Sequence, residues 1–231
     1  MENKSPVCGW IRDLFEGLLS LIYPLQCPLC RTILPADHPA GFCPLCLTEL
    51  PGDPQDALGG PFSILSATPY TGTAQRLVQR LKYESQPWVG RSMGRLMARR
   101  WEAREPSWEP DAVVPVPLHP ARRRQRGYNQ SEILARELAW QLDTPFRNDL
   151  LRRTRFTPPQ VGLSREKRLK NLKGAFSASQ KSAGLRLLIV DDVTTTGATF
   201  SSCFAALAER KAEDFRGYAW AQGILKTHVS S

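Results

Sequence analysis

The sequence has 231 residues, and its 31 Lys and Arg against 22 Asp and Glu give a formal net charge of +9. With 42% hydrophobic and 23% charged residues it falls in the range of folded globular chains, which excludes a wholly disordered protein. The positive balance favours an anionic partner, either a nucleic acid or a phosphorylated small molecule.

The first predicted element is an amphipathic helix over residues 10–23, where apolar side chains recur three and four positions apart until Pro24. Residues 17–30 are uncharged, but Pro24 and Pro28 interrupt them and they are shorter than the roughly 20 apolar residues of a membrane span. The N-terminus does not resemble a secretory signal. We therefore expect a cytoplasmic protein without a membrane span, in which residues 1–24 form a helix packed on its own chain.

Four of the six cysteines form two identical Cys-Pro-Leu-Cys motifs, which contain Cys27, Cys30, Cys43 and Cys46. Two such pairs suit a tetrahedral thiolate site, because each pair turns two sulfurs toward one ion about 2.3 Å away. A segment this short buries too little apolar surface to fold alone, so residues 25–50 are predicted to be a small module held by structural Zn²⁺. Reduced or redox-active thiols are the alternative, since disulfides are disfavoured in the cytoplasm.

Residues 51–61 contain three Pro and three Gly, the composition of a linker, and the main domain is predicted over residues 62–231. In this domain strands alternate with helices, which predicts an α/β fold with a parallel sheet covered on both faces. The predicted strands are residues 64–70, 112–116, 187–190 and 218–224, and the predicted helices are residues 73–83, 89–104, 131–142 and 198–211.

The most informative segment follows the predicted strand 187–190. Two carboxylates, Asp191 and Asp192, precede three threonines and Gly197, which open a helix. A helix N-terminus favours an anion, and glycine lets the backbone approach it closely. Ligands of parallel α/β sheets bind at the carboxyl ends of the strands, so this segment predicts a phosphate site whose carboxylates accept hydrogen bonds from sugar hydroxyls or hold hydrated magnesium. A helix cap with solvated acids is the alternative.

Two basic segments precede this one in the sequence. After strand 112–116, a predicted loop carries Arg122, Arg123, Arg124 and Arg126, whose guanidinium forks suit a polyanion. A solvated charge run is the alternative, because consecutive arginines cannot all point inward. Residues 152–173 hold eight basic side chains against the single acid Glu166.

The string from Asp191 to Thr199 resembles the phosphoribosyl pyrophosphate (PRPP) signature of type I phosphoribosyltransferases. The Cys-Pro-Leu-Cys motifs and residues 114–130 and 160–176 narrow the resemblance to the ComF family, also called ComF/GntX, which is associated with DNA uptake in natural competence. The resemblance extends from about residue 20 to the end of the chain. One departure is visible: after Leu81-Lys82-Tyr83 the family usually continues with Gly-Asp, whereas this chain has Glu84-Ser85-Gln86.

This resemblance implies a type I phosphoribosyltransferase fold preceded by a small zinc-binding module. It also implies that Asp191 and Asp192 hold the ribose hydroxyls of PRPP, directly or through Mg²⁺. The implied cradle for its 5-phosphate consists of Thr195, Thr196, Gly197, Ala198 and Thr199. Residues 117–127 take the place of the pyrophosphate loop and residues 152–173 that of a flexible loop, in which Gln160, Arg165 and Arg168 are candidate site residues.

Two function classes follow. The first is a PRPP-binding protein of DNA uptake, whose basic loops or zinc module bind single-stranded DNA and proteins of the competence machinery; Tyr128 and Phe156 lie in the basic segments, where bases can stack on them. The alternative is a PRPP-dependent phosphoribosyltransferase of nucleotide salvage, with an unknown nitrogenous acceptor and a leaving pyrophosphate stabilised by arginines and Mg²⁺. No residue in the sequence stands out as a general base.

Overall fold

The structure is a computed structural model that describes residues 25–35, 38–52, 63–83, 86–155, 171–172 and 174–223. The predicted helix at residues 10–23 and most of the predicted linker lie outside the described residues. So do the candidate flexible-loop residues Gln160, Arg165 and Arg168. None of the described helices is long and apolar enough to cross a membrane.

Helices and strands alternate along most of the chain. The cysteine segment contains α1 (Pro44–Thr48). The first half of the main domain comprises β1 (Ile64–Pro69), α2 (Gly72–Tyr83), α3 (Pro87–Arg104), β2 (Ala112–Pro115), α4 (Pro120–Arg126) and α5 (Gln130–Gln141). The second half comprises β3 (Leu151–Arg153), β4 (Phe176–Ala178), a 3-10 turn (Gln180–Ser182), β5 (Arg186–Thr194), α6 (Ala198–Glu209) and β6 (Asp214–Gln222).

The central sheet has four parallel strands in the order β1-β6-β5-β2, which confirms the predicted α/β fold. From β5 the chain crosses through α6 to β6, which lies on the side of β5 opposite to β2. From β2 it crosses through α4 and α5 to Phe146, which bridges to Val113 on the other side of β2. Because these connections leave in opposite directions, the crevice between the carboxyl ends of β2 and β5 is where this class of sheet binds ligands.

Side chains of β5 alternate between two hydrophobic clusters, as the two-residue period of a strand requires. Leu188 and Val190 join a cluster with residues of α2, α3, α5 and the cysteine segment. Leu187 and Ile189 join a second cluster with α6 and the β3/β4 hairpin. Both faces of the sheet are therefore covered, as predicted.

Helices α3 and α5 touch through two glycines. A Cβ at Gly94 would lie 2.6 Å from Glu137 Cβ, and a Cβ at Gly90 would lie 2.7 Å from Ile133 Cγ2. The two glycines are one turn apart, so the face of α3 that contacts α5 has no side chain at either position. This contact fixes α5, whose first residues reach the carboxyl end of the sheet.

Two strands are longer than predicted. β5 continues to Thr194, so Asp191 and Asp192 lie within the strand and not after it, because β6 pairs alongside as far as Gln222. β6 begins at Asp214 instead of residue 218. Gly217 does not break it, because the missing Cβ leaves room for the Phe200 ring, whose nearest atom would lie 2.8 Å from such a Cβ.

The prediction of a loop for the basic segment after β2 is wrong, because this segment contains α4. Pro120 stands in the first turn, where its missing N–H costs nothing, and the side chain of His119 accepts a hydrogen bond from the Ala121 N–H at 3.2 Å. Gly127, with φ of +83°, ends the helix. The β3/β4 hairpin was also not predicted, and it places Arg152 and Arg153 in a strand, outside the flexible loop to which they were assigned.

Candidate functional site

A cleft of about 590 Å³ opens at the carboxyl ends of β2 and β5. Its walls come from the end of α2, the segment after β2, α4, the N-terminus of α5, β3 and β5. The charged and polar side chains that line it include Lys82, Arg122, Arg126, Gln130, Ser131, Arg153, Asp191, Asp192 and Thr199. The cleft thus lies at the position that the sheet topology selects.

Two separate sets of donors hold the aspartates. Asp191 Oδ1 accepts hydrogen bonds from Ser131 Oγ at 2.7 Å and from the Asp192 N–H at 2.9 Å. Asp192 Oδ2 lies 2.6 Å from Lys82 Nζ and accepts a hydrogen bond from Gln130 Nε2 at 3.3 Å. The first turn of α5 and the last turn of α2 therefore fix the carboxylates from two walls of the cleft.

Burial, reinforced by the neighbouring Asp192 carboxylate, raises the pKa of Asp191 to about 7. Burial acts to lower the pKa of Lys82, but the attraction of Asp192 and Asp191 outweighs it and the pKa lies above its ordinary value. Burial and the nearby Arg122 guanidinium lower the pKa of Arg153. Four cationic side chains thus share the cleft with two carboxylates, an arrangement that suits a ligand with several phosphate charges.

Helix α4 directs the four predicted arginines to different surroundings. Arg122 and Arg126 are four residues apart on one face and line the cleft, with the Arg126 guanidinium 5.5 Å from the centre of the Tyr83 ring. Arg123 forms an ion pair with Glu132 at 3.2 Å and does not line the cleft. Arg124 is exposed. Only two of the four arginines are therefore placed to meet a ligand in the cleft.

The threonine segment forms the turn between β5 and α6. Gly197 has φ of +71° and is the N-cap residue of α6, where it provides no side chain to cap the helix. The first N–H groups of α6 are therefore available to an anion. Thr199 lines the cleft, Thr195 and Thr196 are half-buried in the turn, and Gly197 and Ala198 are buried.

Sequence reasoning did not single out Lys82, Gln130, Ser131 or Arg153 as site residues. Gln130 ends a segment that carried the family resemblance, and Lys82 lies just before the point where the chain departs from the family, but no local pattern showed that they meet Asp192. Gln130 is only 5% exposed, and its Oε1 has no hydrogen-bond partner among the described residues. A buried acceptor of this kind on the wall of a cleft points to a donor on the ligand, such as a sugar hydroxyl.

The four cysteines of the two motifs converge as predicted. Their sulfur atoms all lie within 4.8 Å of one another, and the Sγ atoms of Cys30 and Cys43 are 3.5 Å apart. In a tetrahedral site with metal–sulfur bonds of 2.3 Å, the sulfurs are about 3.8 Å apart. The cluster is therefore positioned to bind a metal ion.

The thiols of this cluster differ in environment. A hydrogen bond with the Thr32 hydroxyl, 3.1 Å away, lowers the pKa of the exposed Cys30 to about 6. Burial raises the pKa of Cys46 above its ordinary value. A bound cation supplies the charge that stabilises buried thiolates, so the donor set fits a resident metal.

Comparison with known proteins shows the family of this chain. The model of the phosphoribosyl transferase domain family matches residues 82–224, which include Lys82 and both aspartates. Competence protein F of Haemophilus influenzae is 36% identical over 152 residues, which cover 63% of this chain and 66% of that protein. The DNA utilization protein YhgH of Salmonella typhi is 37% identical over 179 residues, which cover 75% of this chain and 73% of that protein.

The fold, the cleft and the family match define a protein with a phosphoribosyltransferase domain and a four-cysteine cluster. Within this class the chain belongs to the ComF family. The match spans just under two thirds of the length of competence protein F. Among solved structures, glutamine PRPP amidotransferase from B. subtilis has a TM-score of 0.42 and 19% identity, over 62% of this chain and 30% of that one.

Proposed function

We propose that the cleft binds PRPP together with Mg²⁺. The observation that carries this proposal is the pair of carboxylates, Asp191 and Asp192, surrounded in one cleft by four cationic side chains. In this arrangement the aspartates meet the ribose hydroxyls or the ion, and Arg122 and Arg126 meet the pyrophosphate. The 5-phosphate is assigned to the turn of residues 195–199 and the uncapped start of α6.

The carboxylates suit Mg²⁺, which prefers oxygen ligands and keeps several of its waters. When bound, the ion neutralises charge on the pyrophosphate. Lys82 adds a positive charge beside Asp192, and the buried Oε1 of Gln130 offers an acceptor to a ribose hydroxyl. The chain's own residues thus supply both anion and hydroxyl recognition.

For the cysteine cluster we propose one structural Zn²⁺, held by Cys27, Cys30, Cys43 and Cys46. Four thiolates complete the shell of a zinc ion that takes no part in catalysis. The sulfur separations support this assignment, as does the burial of three of the four residues.

We further propose that the protein acts in the cytoplasm in DNA uptake, with single-stranded DNA and proteins of the competence machinery as partners. The support comes from relatives named competence protein F and DNA utilization protein, and from the net charge of +9. The alternative, a phosphoribosyltransferase of nucleotide salvage, uses the same cleft, and in it Arg122 and Arg126 of the cleft wall stabilise a leaving pyrophosphate.

Calorimetric titration with PRPP in the presence of Mg²⁺ tests the proposed site. We expect Asp192→Asn to weaken binding at least tenfold, about 1.4 kcal/mol, because it removes the charge shared by Lys82 and the ligand or ion. Asp111→Asn is the matched control, since Asp111 pairs with Arg186 near the start of β5, away from the cleft, and should bind like the wild type. Wild-type protein that does not bind PRPP would contradict the proposal, and release of pyrophosphate only when a nucleobase is added would favour the salvage enzyme.

A further inference from the structure

A second cavity, of about 510 Å³, lies beside the cleft and is lined by a neighbouring face of α4. We call it the Trp88 groove; it runs between α3 and α5, and its principal lining residues are Trp88, Arg91, Arg123, Tyr128 and Arg136. Arg123 of α4 lines it together with Gly127, the residue that ends this helix, whereas Arg122 and Arg126 line the cleft. Helix α4 therefore separates two cavities that both carry arginines.

Trp88 presents an aromatic surface in this groove. The residue is 38% exposed, so a substantial part of its ring surface is accessible to a partner. The Arg80 guanidinium lies 5.4 Å from the ring centre, and Arg80 is itself held by two hydrogen bonds to Gln86 Oε1 and one to the Pro28 carbonyl. The ring is therefore held in place while part of it remains open to a flat partner.

The arginines of the groove are oriented but remain accessible. Glu132 pairs with Arg123 at 3.2 Å and with Arg136 at 3.5 Å, yet these arginine side chains are 56% and 63% exposed. Arg91 is also exposed. The second acid in the groove, Glu137, is already paired with Arg95 at 2.9 Å, so the balance of charge in the groove is positive.

We infer that the Trp88 groove binds a short segment of single-stranded nucleic acid alongside PRPP and not in its place. An aromatic ring among arginines is the combination that recognises single strands, because a base stacks on the ring while guanidiniums contact the phosphates. This inference rests on the proposed function and adds the location: the arginines of α4 are divided between two ligands. Binding in the two cavities is consequently not competitive.

Fluorescence anisotropy with fluorescein-labelled oligo(dT) tests the groove on the full chain. We expect Trp88→Ala to weaken binding at least about fivefold, and Trp88→Phe to retain most of it, since both aromatic rings can stack. Trp140→Ala is the matched control, because Trp140 is 47% exposed on α5 but does not line the groove. Thermal melts of each variant report whether it folds.

The salt dependence of the same titration tests the arginines. We expect Arg91→Ala with Arg136→Ala to lower the slope of log K against log salt by about 0.7 for each lost phosphate contact. Arg99→Ala, on the exposed side of the same α3, should leave the slope unchanged. PRPP affinity should be that of the wild type in all of these variants, because none of the residues lines the cleft.

Saturating PRPP with Mg²⁺ should leave oligo(dT) bound. Full displacement would overturn the inference and move the DNA into the cleft, and unchanged binding by folded Trp88→Ala would overturn it by placing the DNA elsewhere. Polyglutamate that competes as strongly as unlabelled oligo(dT) would overturn the assignment to nucleic acid, because it would show that the groove binds any polyanion by charge alone. Wild-type protein that binds PRPP but no oligo(dT) would overturn both the groove and the DNA part of the proposed function, while leaving the PRPP site intact.

Discussion

Of the two carboxyl groups in the cleft, that of Asp191 is the one whose ionised form is disfavoured by its surroundings. It is an acid in buried surroundings beside a second carboxylate, and hydrogen bonds from Ser131 and the Asp192 backbone, together with the positive charges of Lys82 and Arg153, oppose the resulting rise in pKa. Asp192, by contrast, has Lys82 directly against it. A bound cation therefore stabilises the ionised form of Asp191 more than that of Asp192.

We expect Asp191→Asn to stabilise the unliganded protein at neutral pH. Because the pKa of Asp191 is raised to about 7 in the folded protein from 3.8, the unfolded chain loses this proton first as the pH rises. The wild type therefore loses stability from this group between about pH 4 and pH 7, and the loss stays constant above pH 7. Urea unfolding without PRPP or Mg²⁺, repeated across this range, measures the difference between the two proteins.

This difference should be small at pH 4, grow up to pH 7 and then level off. Subtracting the wild type cancels the titrating groups that do not interact with residue 191, so the shape of the difference reports Asp191 together with its neighbours Asp192 and Lys82. A difference that is constant from pH 4 to pH 8 would contradict the raised pKa. The same variant should bind PRPP more weakly, which is the usual trade between stability and function at a strained site.

At the scale of single elements, α4 determines how the basic segment is used. As a loop, the segment would have presented its arginines in no fixed direction. As a helix, it places Arg122 and Arg126 one turn apart toward the cleft, and it places Arg123 toward Glu132. The element therefore gives different roles to neighbouring residues of the same type.

Paired substitutions on α4 separate these roles. We expect Arg122→Ala with Arg126→Ala to weaken PRPP binding by at least tenfold, since two charged contacts to pyrophosphate are lost and charge-assisted hydrogen bonds are the strong ones. Arg123→Ala with Arg124→Ala removes the same net charge from the same helix and is expected to change PRPP affinity less than twofold. Calorimetry with PRPP and Mg²⁺ measures both, and equal losses would show a general effect of charge instead of a directed site.

The sequence predicted the elements whose signals are local. The alternation of apolar strands with amphipathic helices gave the parallel sheet, and the two Cys-Pro-Leu-Cys motifs predicted a cluster that the structure confirms. Helix α4 was missed because an arginine run has no apolar periodicity, although His119, Pro120 and Gly127 are end signals that could have been used. The contact of Lys82 with Asp192 spans 110 residues, and no local pattern reports a tertiary contact of that kind.

At the scale of the whole molecule, the cysteine segment and the sheet share one hydrophobic cluster. Phe42, which lies beside Cys43 in the chain, stacks on Trp220 of β6 with ring centres 6.4 Å apart. Leu34, Phe42 and Leu50 are buried in the same cluster as Leu188 and Val190 of β5. The four-cysteine cluster, which is positioned to bind a metal ion, is thereby packed against the sheet that carries the aspartates.

We expect the purified protein to contain about one zinc ion per chain, and both Cys27→Ser and Cys43→Ser to lose it. Because the cluster is continuous with the core, each loss should lower the melting temperature in one cooperative transition. Cys203→Ala is the control, since Cys203 is buried in α6 outside the cluster and should leave the zinc content unchanged. Elemental analysis and calorimetric melting measure the two effects, and a separate low-temperature transition would show that the cysteine segment folds independently.

Gly90 and Gly94, where α3 carries no side chain, limit which sequences can form the cleft. A single methyl group at residue 94 would stand 2.6 Å from Glu137 Cβ, an atom too close to the backbone to turn aside, so α5 itself would have to move. Overpacking of this kind costs roughly 1–3 kcal/mol. It would also carry Gln130 and Ser131 away from the aspartates they hold, since these residues begin the displaced helix. The small volume of Gly90 and Gly94, which lie outside the cleft, sets the distance between the axes of α3 and α5. That distance in turn fixes the width of the cleft.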